Sequence, residues 1–302
     1  MPDLRRGLLF GTAAYAMWGL FPLYWPLLEP AGAVEILAHR IVWSALTMAI
    51  LVAAMRRTPE LLAVVRDRRA MTLLSVAAVV ISLNWGAYIW GVNNERVVET
   101  SLGYFINPLV TVLMGVFVLG ERLRRLQWVA LAMAGGAVVV LTVDYGRPPW
   151  LALALAVSFG TYGLTKKQAG VGAVESLTVE TLVLAPVAVV YVVWLTVTGA
   201  ASFGANGVGH ALLITTAGVV TAIPLICFGA AANRVPLVAL GLLQYLAPVI
   251  QFALGVLVFR EDMPTGRWIG FGLVWIALVL FTLETINHRR QQLRLVTEAS
   301  AC

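Results

Sequence analysis

Residues 108–128 read PLVTVLMGVFVLGERLRRLQW, and residues 248–268 read PVIQFALGVLVFREDMPTGRW. The two stretches share one Pro-x6-Gly-x5-Glu-x6-Trp pattern at an offset of 140 residues (248 − 108). Leucine, glycine and valine recur by chance in any apolar chain, whereas proline, glutamate and tryptophan at fixed spacing do not. The pattern therefore predicts an internal duplication.

The same offset relates residues outside the two stretches. It superposes Glu35 on Glu175, Asn93 on Asn233 and Leu102 on Leu242. We therefore expect two repeats, residues 1–145 and 146–287, followed by a tail of residues 288–302.

The composition is that of a membrane protein. The chain has 302 residues, of which 60% are hydrophobic and 12% are charged, whereas about 25% of the residues of a soluble domain are charged. A mean hydropathy of +0.88 excludes a soluble enzyme and a disordered or nucleic-acid-wrapping chain. The expected partners are the lipid bilayer and a small-molecule substrate, with no nucleic acid.

Ten apolar runs are long enough to cross a bilayer, whose core of about 30 Å needs roughly 20 residues of helix. They are residues 7–27, 34–55, 70–91, 98–119, 126–144, 149–165, 175–198, 208–230, 236–259 and 266–286. Since each half has an odd number of helices, the second half enters the membrane from the opposite side. The predicted fold is an all-α integral membrane protein with ten transmembrane helices in two inverted five-helix repeats, an architecture that many secondary transporters use.

The basic residues predict the orientation. Of the 21 Lys and Arg residues, sixteen lie on one side of this arrangement and Arg40 lies within a span. The four on the other side are Arg96, Arg147, Arg260 and Arg267. Because cytoplasmic loops carry the excess of Lys and Arg, we expect a multi-pass protein of the bacterial inner membrane with both termini in the cytoplasm.

Several motifs carry a resemblance to a known family. They are ETSLGYFINPL at residues 99–109, GER at residues 120–122, EILAHR at residues 35–40 and WGVNN at residues 90–94. With these motifs the chain resembles RarD-type proteins, which belong to the EamA branch of the drug/metabolite transporter superfamily. The resemblance implies ten helices in two inverted repeats and the export of drugs, amino acids or other small metabolites.

One feature departs from the superfamily. Its small multidrug-resistance members carry a carboxylate in helix one that exchanges protons for cationic drugs. The first predicted helix here contains no Asp or Glu and offers Tyr15 and Trp18 instead. Antiport of protons for cations is therefore not carried over from the resemblance.

Arg40 and Glu180 are the outstanding ionisable residues within the spans. Translocon scales place the cost of an arginine at a helix centre near 3 kcal/mol, so such residues usually face a partner or a wet cavity. Arg40 could bind a substrate carboxylate or phosphate, snorkel outward, or pair with Glu35, Glu99 or Glu180. Because Glu180 occupies the equivalent position in the second repeat, we hypothesise a charge pair between Arg40 and Glu180. The alternative for Glu180 is a lone carboxylate near the interface.

His39 precedes Arg40 and is a candidate proton relay, since imidazole titrates near neutral pH. The alternative is a structural hydrogen bond to a backbone carbonyl.

Helices four and nine are candidate gating elements. Glu99, Tyr104 and Asn107 fall near one side of helix four, and Pro108 is expected to loosen that helix. Pro248 is expected to do the same in helix nine, and the neighbouring candidate substrate ligands are Gln244, Tyr245 and Gln251. In the alternative, both prolines only shape packing.

A set of aromatic and amide side chains could line a substrate site, although aromatic belts at the membrane surface explain such residues as well. Its members are Trp18, Asn84, Trp85, Tyr88, Trp90 and Tyr162. Trp18 and Trp85 lie deeper than Trp90, for which the belt is favoured.

Small residues at four-residue spacing, Gly266 with Gly270 and Ala132 with Gly136 among them, predict close helix packing. Glu121 and Glu261 are interpreted as loop anchors. The sequence has no nucleotide-binding, hydrolase or metal-ligand motif, so neither cofactor nor metal is expected.

The sequence favours a secondary transporter, expected to export a small metabolite, amino-acid-like compound or drug by alternating access. An ion or proton gradient, exchange or the substrate gradient would drive it. Two alternatives stay open: an intramembrane enzyme that uses Glu35, His39, Arg40 and Glu99 as acid and base, and a membrane receptor without flux. The oligomeric state is not predicted.

Overall fold

Twelve α-helices and one short 3-10 turn form the part of the protein that the computed structural model describes, which comprises residues 2–119, 123–232, 234–235 and 243–299. The helices are α1 (Pro2–Tyr24), α2 (Ala33–Ala54), α3 (Thr58–Arg66), α4 (Arg68–Asn93), α5 (Val97–Leu119), α6 (Arg125–Tyr145), α7 (Trp150–Ala169), α8 (Ala173–Thr198), α9 (Gly207–Thr215), α10 (Ala217–Ala232), α11 (Leu246–Leu257) and α12 (Thr265–Ala299). The 3-10 turn, Trp25–Leu28, follows α1. Within the described ranges the fold is all-helical, as expected.

Seven segments of the described chain are long and apolar enough to cross a membrane, against ten predicted spans. Two of the other predicted spans are helices α1 and α7, which are not among these seven segments. The third, 236–259, is described only in part, and its apolar helix α11 has 12 residues. The count of ten and the inversion of the repeats thus stay predictions.

Three features of the helices differ from the predicted spans: one span is divided, one helix is longer, and one short helix was not predicted. The span 208–230 consists of two consecutive helices that meet at Thr216, where the Tyr24 hydroxyl donates a hydrogen bond to the Leu213 carbonyl (3.1 Å) and lies 2.9 Å from the Thr216 hydroxyl. The last helix continues to Ala299, into the segment that was expected to be a solvated tail. Helix α3 was not predicted, because its nine residues are too few for a span.

Asp67 separates α3 from α4. Its carboxylate accepts hydrogen bonds from the backbone amides of Arg69 (2.9 Å) and Ala70 (3.2 Å). A carboxylate at this position satisfies amides that have no partner within the helix and stabilises the helix start by about 1 kcal/mol.

The helices of the first half pack mainly on those of the second. Helix α2 lies on α8, α6 on α12, α5 on α7 and α11, α4 on α7, and α1 on α10 and α11. Glycines permit some of these contacts: a Cβ atom at Gly266 would lie 2.6 Å from the Asp144 side chain, and one at Gly270 would meet Leu141. The expectation for Gly136 was wrong, since nothing in the described structure lies within 4 Å of a Cβ atom there.

The loop before α12 is tied to the start of α5 by Glu261. Its carboxylate accepts hydrogen bonds from the backbone amides of Val97 and Val98, the latter at 3.0 Å. Burial raises the pKa of Glu261 to about 7, and the two amides only partly oppose that rise. Glu261 therefore anchors a loop, as the sequence predicted; Glu121, its equivalent, lies outside the described residues.

We expect Gly218→Ala to destabilise the protein by about 1–3 kcal/mol, the usual cost of overpacking a tight contact. The added methyl group would meet the backbone carbonyl of Trp43 on α2, which a side-chain rotation cannot move away. The measurement is the thermal unfolding midpoint in detergent. Gly136→Ala is the matched control, because that glycine is exposed and its replacement is expected to maintain or raise the midpoint. Equal midpoints for the two variants would contradict the close crossing of α2 and α10.

We expect Glu261 to make the protein less stable as pH rises from about 4.5 to 7. Since the pKa is raised to about 7 in the folded state, the folded protein binds more protons than the unfolded chain in this window. Stabilisation on the order of 2 kcal/mol, which is present at lower pH, is therefore lost across it. Unfolding midpoints recorded between pH 4.5 and 8 should fall less steeply for Glu261→Gln than for the wild type. The exposed Glu60→Gln is the control and should reproduce the wild-type slope.

Candidate functional site

Arg40 lies in the second turn of α2 and is buried, with 4% of its surface exposed. Its Nε donates a hydrogen bond to the hydroxyl of Thr221 on α10 at 3.0 Å. Three aromatic rings surround the guanidinium, whose Cζ lies 3.8 Å from the Trp85 ring centre, 5.0 Å from that of Trp25 and 5.9 Å from that of Phe21. Cation–π contacts of this kind contribute up to about 2 kcal/mol when they are desolvated.

The carboxylates that were considered as partners of Arg40 are bound elsewhere. Glu35 accepts hydrogen bonds from the backbone amides of Ser202 (2.7 Å) and Phe203 (3.2 Å), in the loop after α8. Glu99 forms an ion pair with Arg147 at 2.9 Å, where α5 begins. Both carboxylates thus fix loops near the helix ends.

Glu180 has partners of its own, and the hypothesis of an Arg40–Glu180 pair was wrong for this structure. The Lys166 ammonium lies 3.3 Å from Oε1 of Glu180, and the Tyr162 hydroxyl donates a hydrogen bond to Oε2 at 3.0 Å. Both partners come from α7, which precedes α8 in a helical hairpin. Among the described residues Arg40 has no carboxylate partner.

Two further hydrogen-bond donors near Arg40 have no hydrogen-bond partner among the described residues. The Trp25 indole Nε1 and the Tyr88 hydroxyl are buried and form no hydrogen bond with the described residues. Tyr88 belongs to the same buried cluster as Trp25 and Phe21, whose rings lie against Arg40. Because a buried donor without a partner costs about 1–3 kcal/mol, this cluster of donors suits a ligand that supplies acceptor oxygens.

Helices α4, α5 and α7 contribute a set of satisfied polar groups beside the cluster. The Tyr104 hydroxyl donates to Oδ1 of Asn84 at 3.2 Å, and Nδ2 of Asn84 donates to the Leu155 carbonyl at 3.0 Å and the Ser158 hydroxyl at 2.9 Å. These contacts fix the orientation of Tyr104, which packs against the buried cluster of Phe21, Trp25 and Tyr88.

An aromatic path leads from this cluster to Glu180. Ring centres are separated by 5.6 Å for Tyr88 and Tyr104, 5.8 Å for Tyr104 and Phe159, and 6.0 Å for Phe159 and Tyr162. Tyr162 is the residue that binds Glu180. A series of contacts thus extends from Tyr88 through Tyr104, Phe159 and Tyr162 to Glu180.

Tyr15 and Trp18 lie in a second aromatic group. Their ring centres are 5.3 Å apart, and Phe228 lies 6.1 Å from Tyr15 and 5.8 Å from Trp18. Gln251 donates a hydrogen bond to the Trp18 carbonyl at 3.1 Å, which links α11 to α1.

Other predicted site residues lie apart from the Arg40 cluster. His39 stacks on Phe203 with ring centres 4.7 Å apart, and its Nε2 has no partner in the described structure. Asn107 is buried in α5, and its Oδ1 likewise has no partner there. Tyr245 lines a separate cleft of about 410 Å³ with Phe105, Trp275 and Thr282, and the adjacent Gln244 is half-buried.

The two prolines differ in their surroundings. Pro108 lies within α5, which continues from Val97 to Leu119 without interruption. Pro248 is the third residue of α11, and no intrahelical bond is lost there because the first amides of a helix have no acceptor. Loosening of helix nine at Pro248 stays a prediction, because residues 236–242 of that span lie outside the described residues.

Sequence reasoning missed several residues of the cluster. Trp25 and Phe21 fall near the end of the first predicted span, where a belt explains aromatic residues, and Thr221 lies 181 residues from Arg40. Lys166 is one of the sixteen basic residues that predict the orientation, and the sequence does not mark it as a partner of Glu180. The described residues contain no group of three or more His, Cys, Asp or Glu side chains that could hold a metal ion.

Comparisons with known proteins point to one family. Residues 5–143 match the model of the EamA-like transporter family. Protein RarD of Streptomyces exfoliatus is 58% identical over 99% of this chain and 95% of its own length. An uncharacterized transporter of Vibrio cholerae is 43% identical over 94% of both chains, and Protein RarD of Escherichia coli is 39% identical over 95% of this chain and 97% of its own.

A solved crystal structure has the same fold. It superposes with a TM-score of 0.60 and 20% identity, and covers 92% of this chain and 97% of its own.

We expect the effects of Arg40→Gln and Glu180→Gln on the free energy of unfolding to add, because the two residues have separate partners. Lys166→Met and Glu180→Gln should instead be coupled by about 1–3 kcal/mol, since they remove two ends of one buried pair. Double-mutant cycles from reversible unfolding in mixed micelles measure both values. Strong coupling between Arg40 and Glu180 would contradict the separate partners of these two residues.

Proposed function

The chain belongs to the EamA-like transporter family, within its RarD group, and from this premise we propose that it exports a small organic carboxylate across the bacterial inner membrane. It is a multi-pass membrane transporter. The finer proposal adds that the protein is a secondary transporter with both termini in the cytoplasm, that Arg40 binds the carboxylate, and that alternating access carries it across.

The observation that carries this proposal is the buried guanidinium of Arg40 without a carboxylate partner in the described structure. A buried charge without a counter-charge is strongly destabilising, and the surrounding rings compensate only part of that cost. A substrate carboxylate would neutralise Arg40 and accept hydrogen bonds from the unpartnered Tyr88 and Trp25. The planar guanidinium is suited to such two-point recognition.

The aromatic surroundings also favour an organic anion. The Trp85 ring centre lies 3.8 Å from Cζ of the Arg40 guanidinium. The Tyr104 hydroxyl is fixed by its hydrogen bond to Asn84. Apolar walls with a few polar groups are the usual lining of a small-molecule site. We assign the apolar part of the substrate to these rings and its carboxylate to Arg40.

Two pairs of contacts support the inverted repeats that alternating access requires. Asp144, at the end of α6, binds Arg267, at the start of α12, at 3.2 Å. Glu284, which the 140-residue offset relates to Asp144, binds Arg124 just before α6. Each of the two helices thus supplies the acid of one contact, and the arginine of the other contact lies at or just before its start. This arrangement is expected when two antiparallel helices are related by a pseudo-twofold axis.

Glu35 and Glu175, which the 140-residue offset also relates, form loop contacts in the same reciprocal way. Glu35 at the start of α2 binds the loop after α8, and Glu175 at the start of α8 binds Arg57 in the loop after α2 at 2.7 Å. We propose that these two contacts close the protein on opposite sides of the membrane. Helix α5, with Pro108, and helix α11, which begins near Pro248, are the proposed gating elements between them.

Proteoliposomes loaded with a mixture of amino acids, other small carboxylates, neutral metabolites and chloramphenicol test the function. We expect the wild type to release a class of carboxylates faster than protein-free vesicles do. Arg40→Gln and Arg40→Lys should reduce that release at least tenfold, because neither side chain offers a planar cation that stacks on Trp85. Mass spectrometry of the released compounds provides the readout.

Arg66→Gln is the matched control, since it removes an exposed arginine at the end of α3 that belongs to neither the proposed site nor the two closing contacts. Selective release of neutral compounds, or release that Arg40→Gln leaves unchanged, would overturn the assignment of Arg40. Stabilisation of the protein by a carboxylate without any flux would indicate a receptor instead of a transporter.

A further inference from the structure

A second buried charged group lies in the opposite half of the protein. Glu180 is the eighth residue of α8, as Arg40 is the eighth of α2, and the 140-residue offset relates the two. Glu180 is 1% exposed, about two helical turns from the short connection between α7 and α8. Unlike Arg40, it can lose or gain its charge by binding a proton.

The partners of Glu180 leave one of its oxygens available. Oε2 accepts a hydrogen bond from the Tyr162 hydroxyl at 3.0 Å, and this hydroxyl accepts one from the Lys166 ammonium at 2.8 Å. Oε1 lies 3.3 Å from Lys166 but forms no hydrogen bond with the described residues. A proton can therefore be added to Oε1 without breaking a hydrogen bond.

Lys166 provides a connection to water. The Lys166 side chain is 21% exposed, whereas that of Glu180 is 1% exposed, and Lys166 lies one turn before the end of α7. A lysine so placed can extend its ammonium toward the interface when it is released. A proton on Glu180 would remove the attraction that holds Lys166 inward.

The other elements packed on α8 contribute no further ion-pair partner of Glu180 among the described residues. Helix α2 carries Glu35, His39 and Arg40, which have the contacts given above. Helix α3 carries Glu60 and Arg66 near the membrane surface, α4 carries Arg68, Arg69 and Tyr88, and the sequence of α10 has no Asp, Glu, Lys, Arg or His. The charge at this site is thus set by Glu180 and Lys166.

We propose that Glu180, Tyr162 and Lys166 form a proton-binding site, and that the proton bound there accompanies the carboxylate held by Arg40. The coupling to the carboxylate rests on the proposed function. The Glu180 carboxylate takes up one proton to become a carboxylic acid, while Lys166 keeps its charge and the substrate keeps its negative charge. The proton and the anion together add no net charge to the protein interior. Since each compensates the charge of the other, they bind cooperatively, and the substrate crosses with one proton.

Infrared difference spectroscopy of the full chain in liposomes tests the proton site without any substrate. A step from pH 8 to pH 5 should produce the carbonyl band of a buried carboxylic acid in the wild type, and the band should be absent in Glu180→Gln. Glu175→Gln, five residues earlier on the same helix, is the matched control and should retain it. Tyr162→Phe should retain the band but change the pH at which it appears; a band that persists in Glu180→Gln would overturn the proposal.

Coupling is tested by the apparent affinity for the released carboxylate at pH 6 and pH 8. We expect the wild type and the variant Glu60→Gln, which alters an exposed carboxylate on α3, to bind it at least fivefold more tightly at pH 6, a modest value for coupled sites. Glu180→Gln should bind it equally at both pH values. Equal affinities for the wild type would overturn the coupling. If no variant moves or binds any carboxylate, the proposed function fails, and the infrared band alone then decides the proton site.

Discussion

A charged side chain among helices in a bilayer needs a nearby group that neutralises it, because neither lipid nor apolar side chains can do so. The polar contacts of this protein follow from that requirement. Carboxylates bind arginines, a lysine or backbone amides, as Glu99 does with Arg147 and Glu35 with the loop at Ser202. The contacts of Glu35 and Glu99 lie at helix ends and connect a helix to a neighbouring loop. Arg40 differs, because rings and one hydroxyl surround it where a carboxylate would be expected.

That difference determines what the site can bind. The rings of Trp85, Trp25 and Phe21 stabilise a cation through their electron-rich faces, but they cannot accept the hydrogen bonds of the guanidinium. Neighbouring Trp25 and Tyr88 add two more donors without partners. A ligand with two acceptor oxygens and a small apolar body complements all of these groups at once. Closing such a site costs little further reorganisation, because the donors are already held in place by packing and by the contact with Thr221.

Much of this arrangement could be predicted from the sequence, for reasons specific to each part. The apolar runs predict most helices, since a span needs a fixed length of helix, and the rarity of arginine in such runs singles out Arg40. The partners of Arg40 could not be predicted, because Thr221 and Trp85 reach it through the packing of α2 on α10 and α4. The predicted pair with Glu180 was wrong for a related reason: the offset relates the two residues by symmetry but does not bring them into contact, and Lys166 lies closer along the chain. Helix α3 and the position of Pro248 at a helix start depend on local boundaries that hydropathy does not mark.

Binding of a carboxylate by Arg40 can be measured directly on the purified protein. Thermal unfolding in detergent should be measured with small carboxylates and with their uncharged amides, for the wild type and for Arg40→Gln. We expect a set of carboxylates to raise the unfolding midpoint of the wild type in a concentration-dependent way. The corresponding amides should not raise it, and Arg40→Gln should respond to neither. Equal stabilisation by acids and amides, or an undiminished response to acids in Arg40→Gln, would contradict it.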